Sequence, residues 1–220
     1  RAAARDELGD WKNTSIDQRC YLLGKLADVL EQKAPEWVDL VQAETGSTIN
    51  ITETLQVAGG FIDRFRYYSK PQRIDLSELP VKQGATALGP AGLLAASVYH
   101  QPVGVVLCIT PYNFPLTNVA GKIAPALAMG NTCIIKPAPQ DPLGILRLGE
   151  AINEAGFPPG VINIVTSSGP EVPAAMVASK DVNMVSFTGS TSVGKSIYVS
   201  GAAPMTPVPM DVGGKGGPSL

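Results

Sequence analysis

From Gln83 to Gly121 the chain carries no Asp, Glu, Lys or Arg, a neutral stretch of 39 residues. So long a run without charge has to be buried, in a bilayer or in the core of a folded domain. Pro90, Gln101, Pro102, Pro111, Asn113 and Pro115 cut it into apolar runs well short of the ~20 residues a spanning helix needs. Buried strands are the better reading, and the sequence beyond agrees with it. Short runs rich in β-branched residues at 103–109, 132–135, 161–165, 184–187 and 208–212 alternate with helical stretches, the pattern of a parallel α/β sheet. Pro207 and Pro209 each lack a donor and make the last run an edge strand or an irregular one.

The first 83 residues have a different character, holding 24 of the 36 charges. Ser15 and Gln18 form a capping-box pattern opening a helix with Cys20, Leu23, Ala27 and Leu30 along one face. Pro35 suits the first turn of a second helix that Gly46 would end, and Ile51, Leu55, Ala58, Ile62 and Phe65 mark an apolar stripe on a third. Among the later helices, at 116–129, 141–155, 171–179 and 190–199, the clearest has Asp141 as N-cap, Pro142 in its first turn and Gly156 past its end. The expected architecture is a doubly wound, Rossmann-like parallel sheet over 84–220, preceded by amphipathic helices over 1–83 that pack on it.

Charge and cysteine content remove several functions. With 17 Lys+Arg against 19 Asp+Glu the net charge is −2, which argues against nucleic acid or an acidic membrane surface as partner. Cys20, Cys108 and Cys133 are odd in number and far apart, and there is one histidine, so neither a disulfide scaffold nor a metal site is expected. The sequons at Asn13 and Asn50 would matter only in a secreted chain. The charged, alanine-rich opening is no signal peptide, and we expect a cytoplasmic protein. His100, before Pro102 in an expected strand, receives no role.

In a doubly wound sheet, ligands bind beyond the carboxyl ends of the strands. The residues there are 110–115, 136–139, 166–170, 188–190 and 213–215. The dinucleotide fingerprint G-x-G-x-x-G is absent, but Thr188-Gly189-Ser190-Thr191-Ser192-Val193-Gly194 is a Gly-x-x-x-x-Gly turn leading from a strand into a helix. Gly189 allows close backbone approach and the helix start offers unpaired N–H groups to a phosphate; a purely structural turn reads as well. Lys136 ends an apolar strand, where burial is costly unless it meets an anion or a hydroxyl.

Taken together, Thr110-Pro111-Tyr112-Asn113-Phe114-Pro115, Ala124-Pro125-Ala126-Leu127-Ala128-Met129-Gly130-Asn131-Thr132, Lys136-Pro137-Ala138, Gly156-Phe157-Pro158-Pro159-Gly160, Ser186-Phe187-Thr188-Gly189-Ser190-Thr191 and Val212-Gly213-Gly214-Lys215 resemble the aldehyde dehydrogenase superfamily in order and spacing. The resemblance covers nearly the whole chain and implies oxidation of a small aldehyde to an acid with NAD or NADP, and a homo-oligomer as the complete protein. It implies an oxyanion-holding amide at Asn113 and a water-activating base at Asp211, where the family usually has the longer glutamate. Cofactor contacts are implied at Thr110, Pro111, Tyr112, Lys136, Pro139, Gly169, Pro170, Thr188, Gly189, Ser190, Val193, Val212 and Gly213. Lys136 would bind the adenosine ribose or its 2′-phosphate. Pro139 stands where NAD-preferring members often carry a glutamate, so NADP should be tolerated or preferred. Gly169 and Pro170 would lie under the adenine, with Gly189 and Ser190 at the pyrophosphate.

The family's nucleophilic cysteine would fall past Leu220, while Cys20, Cys108 and Cys133 read as core residues. The chain is therefore expected to be an amino-terminal fragment, inactive alone. Two alternatives stand beside that reading: a noncatalytic nucleotide-binding or interaction module, and an acyl-transferring relative for which a water-activating carboxylate is dispensable.

Overall fold

The computed structural model describes residues 2–71, 78–86, 89–97 and 100–213, with backbone alone between 78 and 97. Among the described residues, eight α-helices, one π-helix and seven strands follow in the order α1 (Ala2–Asn13), α2 (Ile16–Gln32), α3 (Ala34–Thr45), the π-helix (Ile51–Ile62), α4 (Asp63–Tyr68), β1 (Glu78–Thr86), β2 (Gly89–Ser97), β3 (Val105–Ile109), α5 (Pro115–Ala128), β4 (Thr132–Lys136), α6 (Leu143–Ala155), β5 (Ile162–Ile164), α7 (Glu171–Val177), β6 (Met184–Ser190), α8 (Thr191–Ala202) and β7 (Met210–Gly213). Strands β1 and β2 form an antiparallel hairpin. The other five make a parallel sheet in the order β5-β4-β3-β6-β7. The chain winds outward from β3 to β4 and β5, then returns to the far side of β3 for β6 and β7. That reversal puts the topological switch point between β3 and β6, where doubly wound sheets bind ligands.

Both faces of the sheet are covered. Val106, Cys108, Cys133 and Ile135 face a core shared by α5, α6 and the helices before residue 69, while Val105, Leu107, Ile109, Ile134, Val185 and Phe187 face α7, α8 and the start of α1. Burial on two faces is why these strands read as unbroken apolar runs rather than alternating ones. Two asparagines, Asn131 buried and Asn183 half-buried, square off the start of β3. The Asn131 side chain accepts from Gly104 N at 2.9 Å and donates to Ala126 O at 3.0 Å, and the Asn183 side chain accepts from Val105 N at 2.9 Å. Arg19 donates to Ala128 O at 2.9 Å and to Thr14 O, joining the start of α2 to the carbonyl end of α5.

Several sequence-based expectations hold as local structure. The Ser15 hydroxyl accepts from Gln18 N at 3.2 Å, and Cys20, Leu23, Ala27 and Leu30 are buried. Gly46 and Gly156 end α3 and α6 in the left-handed conformation, and β7 is an edge strand. Strand β3 begins at Val105 rather than 103; Val103 is exposed, and His100 lies on the surface outside any strand.

The third helix differs most. Residues 51–62 wind as a π-helix, whose i→i+5 hydrogen bonds put more residues into each turn and rotate the buried face. Thr52, Gln56, Val57, Gly60, Phe61 and Ile62 point inward, while the expected Ile51, Leu55 and Ala58 are exposed. Packing against α5 accounts for the choice of Gly60, since a Cβ there would sit 2.2 Å from Thr117 Oγ1 and 2.4 Å from Leu55 O.

Asp141 is not an N-cap. Helix α6 begins at Leu143, and its first free N–H groups are taken by Glu44 of α3, which accepts from Leu143 N at 2.6 Å and Gly144 N at 2.8 Å. A full carboxylate suits a helix N-terminus better than a neutral cap. Asp141 is left buried, both side-chain oxygens without a partner among the described residues, and burial together with the nearby Glu44 pushes its pKa up to about 7. Because the folded state holds this proton more tightly than the unfolded chain, the contribution to stability is complete below the ordinary aspartate pKa and is lost as pH rises toward 7. Asp141→Asn should therefore stabilise the fold at pH 8 by roughly 2 kcal/mol and by little at pH 4.5. Denaturant midpoints at the two pH values check this; an equal effect at both would show that the proton on Asp141 is irrelevant.

Candidate active site

A cavity of about 510 Å³ opens at the carboxyl ends of β3, β4 and β6 and runs between α7 and α8. Eleven of the thirteen expected cofactor residues line it: Thr110, Pro111, Tyr112, Lys136, Pro139, Gly169, Pro170, Thr188, Gly189, Ser190 and Val193. The topology explains the gathering. β3, β4 and β6 are neighbours in register, with Ile109 opposite Lys136 on one side and Phe187 on the other, so the segments that leave these strands converge on one crevice. Val212 and Gly213 lie on β7 beside the cavity rather than in its wall, held by the Thr191 hydroxyl, which donates to Gly213 O at 3.0 Å. Gly214 and Lys215 of the same motif lie outside the described residues.

Four features of the cavity would suit a ligand. Lys136 is 6% exposed with no ion pair or hydrogen bond to its ammonium among the described residues, and burial lowers its pKa. An unpaired buried ammonium is costly, and an anion placed against it would remove the cost. The Thr110 hydroxyl is likewise buried without a partner. At the start of α8 the Ser190 side chain accepts from Val193 N at 3.4 Å, and this helix start lines the cavity, where its remaining free N–H groups would suit a phosphate. Gly189 folds over the Phe187 ring, so a Cβ there would lie 2.6 Å from its Cζ. A dinucleotide fits this donor set: phosphate at the helix start, ribose hydroxyls or a 2′-phosphate at Lys136, and a flat base between α7 and α8.

The expected catalytic pair sits next to the cavity, not in its wall. Asn113 is in the turn between β3 and α5, exposed, its amide without a hydrogen bond among the described residues. Asp211 is on β7, exposed, opposite Thr188. Cys20, Cys108 and Cys133 are all buried and unpaired; burial pushes the Cys20 thiol up, and contact with Cys108 joins burial in doing the same to Cys133. None of them meets the requirement for a nucleophile, a reachable thiolate.

Sequence reasoning missed Lys122. Its ammonium donates to the Ser186 hydroxyl at 3.0 Å, burial pulls its pKa down, and Cys108 and Asp211 oppose that shift. It is the single charged residue between Lys82 and Lys136, on the packed face of α5, and that isolation was the available signal.

The sequence profile of the aldehyde dehydrogenase family matches residues 1–217. Aldehyde dehydrogenase 1A1 of Gallus gallus is 40% identical over 212 residues, 95% of this chain and 40% of that protein, and the chloroplastic betaine aldehyde dehydrogenase of Beta vulgaris is 35% identical over 98% of this chain and 42% of its own length. The crystal structure of PnpE from Pseudomonas sp. WBC-3 superposes with a TM-score of 0.88 at 36% identity, over 98% of this chain and 42% of that one. The chain thus spans about two fifths of the length of these relatives. With the family matched from residue 1 to 217, and the same backbone found in a member 36% identical, the chain belongs to the aldehyde dehydrogenase family.

Proposed function

We propose that the protein carrying this chain oxidises an aldehyde to a carboxylic acid with NAD or NADP, and that residues 84–220 bind the cofactor. The single observation that carries this reading is the cavity at the switch point, which gathers the expected cofactor residues around a buried lysine side chain with no anionic partner among the described residues. PnpE and an aldehyde dehydrogenase of Bacillus cereus, 34% identical with a TM-score of 0.88, have each been solved with NAD.

The cofactor, when bound, accepts hydride from the substrate carbon. What these residues contribute is position and charge. Thr188, Gly189 and Ser190 turn the backbone so that the start of α8 faces the pyrophosphate, and Lys136 anchors the ribose end. The Asn113 amide donates to the oxygen that becomes negative when a nucleophile adds to the aldehyde. Asp211 takes a proton from the water that releases the acid. The thiol that attacks is none of the three cysteines here, because all are sealed in the core; these 220 residues alone should therefore oxidise no aldehyde.

Pro139 stands exposed at the rim where a carboxylate would repel a 2′-phosphate, and Lys136 supplies the opposite charge. NADP should accordingly bind at least as tightly as NAD, and Lys136→Ala should weaken NADP more than NAD, by about tenfold, the scale of one charge-assisted hydrogen bond. Calorimetric titration with both cofactors decides it. A clear NAD preference that Lys136→Ala leaves unchanged would overturn the assignment of the 2′-phosphate to this lysine.

A further inference from the structure

Asp141 stands between the cofactor cavity and the helices packed behind it. Residues 137–142 leave β4 after Lys136 and enter α6 at Leu143, and Lys136, Ala138, Pro139 and Gln140 line the cavity on the way. Pro137, Pro139 and Pro142 fix φ at three of these six positions, so a displacement at one end is carried along the segment rather than absorbed. Both ends are held. Thr110 N donates to Lys136 O at 3.3 Å, and Leu143 N and Gly144 N donate to the Glu44 carboxylate at 2.6 and 2.8 Å. That carboxylate lies flush against the helix start, since a Cβ at Gly144 would sit 3.2 Å from Glu44 Oε2. Asp141 comes two positions before the first of those amides, 1% exposed and with neither side-chain oxygen partnered among the described residues.

A second carboxyl so close to Glu44 and so dry is accommodated as the neutral acid. Of the charged groups on the surrounding elements, Glu44 of α3 is the one that faces it: Arg147, Glu150 and Glu154 of α6 are in ion pairs at the outer surface, Asp39 and Glu53 are exposed, and Lys122 of α5 is at Ser186. We propose that Asp141 is a proton-operated latch on the cofactor cavity: protonated, it lets residues 137–142 lie against α3 and α6, and ionised, it is repelled by Glu44 and drawn toward water, displacing the Pro139–Gln140 rim from the dinucleotide. This rests on the cofactor reading above. Burial and then Glu44 raise the pKa of the acid to about 7, so the latch is closed below pH 7 and opens above it. Coupling of this kind is reciprocal, and a dinucleotide that favours the closed form must draw a proton from solution when it binds near pH 7.5.

The test uses the complete protein and NAD, which lacks the 2′-phosphate that would itself titrate in this range. The NAD dissociation constant should rise about fivefold between pH 6 and pH 8.5, the low end of ordinary coupling between sites. Asp141→Asn keeps the shape of the side chain without its titration and should hold the pH 6 affinity throughout. Glu44→Gln removes the like charge and should move the loss of affinity to lower pH. Calorimetry at pH 7.5 in buffers of different ionisation enthalpy should show uptake of a fraction of a proton per NAD bound, absent in Asp141→Asn; a carboxyl that matters to stability alone would give no such uptake. The same pH dependence, or the same proton uptake, in the unchanged protein and in Asp141→Asn would overturn the latch while leaving the cofactor site in place. If NAD binds the unchanged protein at neither pH, the cofactor reading fails and the latch fails with it.

Discussion

Asn113→Ala in the active protein should lower turnover on the order of 10²–10³-fold, the usual loss when one oxyanion donor is removed. The effect should fall on turnover and leave dinucleotide affinity nearly unchanged, because Asn113 follows the β3 carboxyl end but is not part of the cavity wall. Its side chain is exposed and accepts or donates nothing within the described residues, so it neither pins the turn nor loses a partner on truncation. The turn is held by other contacts: Asn118 N and its side-chain amide both bond to Phe114 O, at 3.0 and 2.8 Å, and Pro115 opens α5. A merely structural asparagine would give the opposite signature, with a lower melting temperature and a modest loss of rate. Rapid kinetics on the Asn113→Ala protein separates the two. A loss below about tenfold in turnover, alongside a drop in stability, would reassign Asn113 to the turn.

Where a signal in this sequence was local, it could be read locally. Ser15 and Gln18 are three residues apart and meet across one turn, and Pro207 and Pro209 lie just before the edge strand β7, which begins at Met210 rather than 208. The site was legible for a related reason, since any residue leaving β3, β4 or β6 on the carboxyl side is delivered to the same crevice by the order of the strands. The misreadings came from partners remote in sequence. Asp141 has every local property of an N-cap, yet Glu44, 99 residues before the Leu143 amide it meets, occupies that role, its one carboxylate accepting from both Leu143 N and Gly144 N. The stripe at 51–65 assumes 3.6 residues per turn, and the close approach of α5 at Gly60 accompanies a wider one. Lys122 is located by Ser186 on β6, 64 residues away, and no periodicity within α5 announces that contact.

Asp211 is the residue on which the chemistry of the proposal divides. Asp211→Asn should leave acyl transfer and hydride transfer intact and slow hydrolysis of the acyl-enzyme by roughly 10²–10⁴-fold, so that one equivalent of reduced cofactor appears in a burst before a weak steady rate. The strand carrying it is short and at the sheet edge, paired with β6 through Thr188 and Gly189. The backbone position is thereby set by the cofactor-binding strand itself, and the reach of the side chain becomes the variable. Aspartate is one methylene shorter than glutamate, and proton abstraction needs about 2.6–3.2 Å or a bridging water, so Asp211→Glu should speed deacylation if reach is limiting. Asp211 favours the charge on Lys122, whose ammonium donates to the Ser186 hydroxyl on the adjacent strand. Losing that negative charge in Asp211→Asn removes the effect, whereas Asp211→Glu retains it, so comparison of the two separates reach from charge. Equal steady rates in the unchanged protein and both variants would mean that water is activated elsewhere, and the product would then be expected to leave by transfer to an acyl acceptor such as a thiol. Adding such a thiol and measuring the thioester formed would distinguish that outcome directly, because a hydrolytic enzyme yields the free acid whether or not the thiol is present.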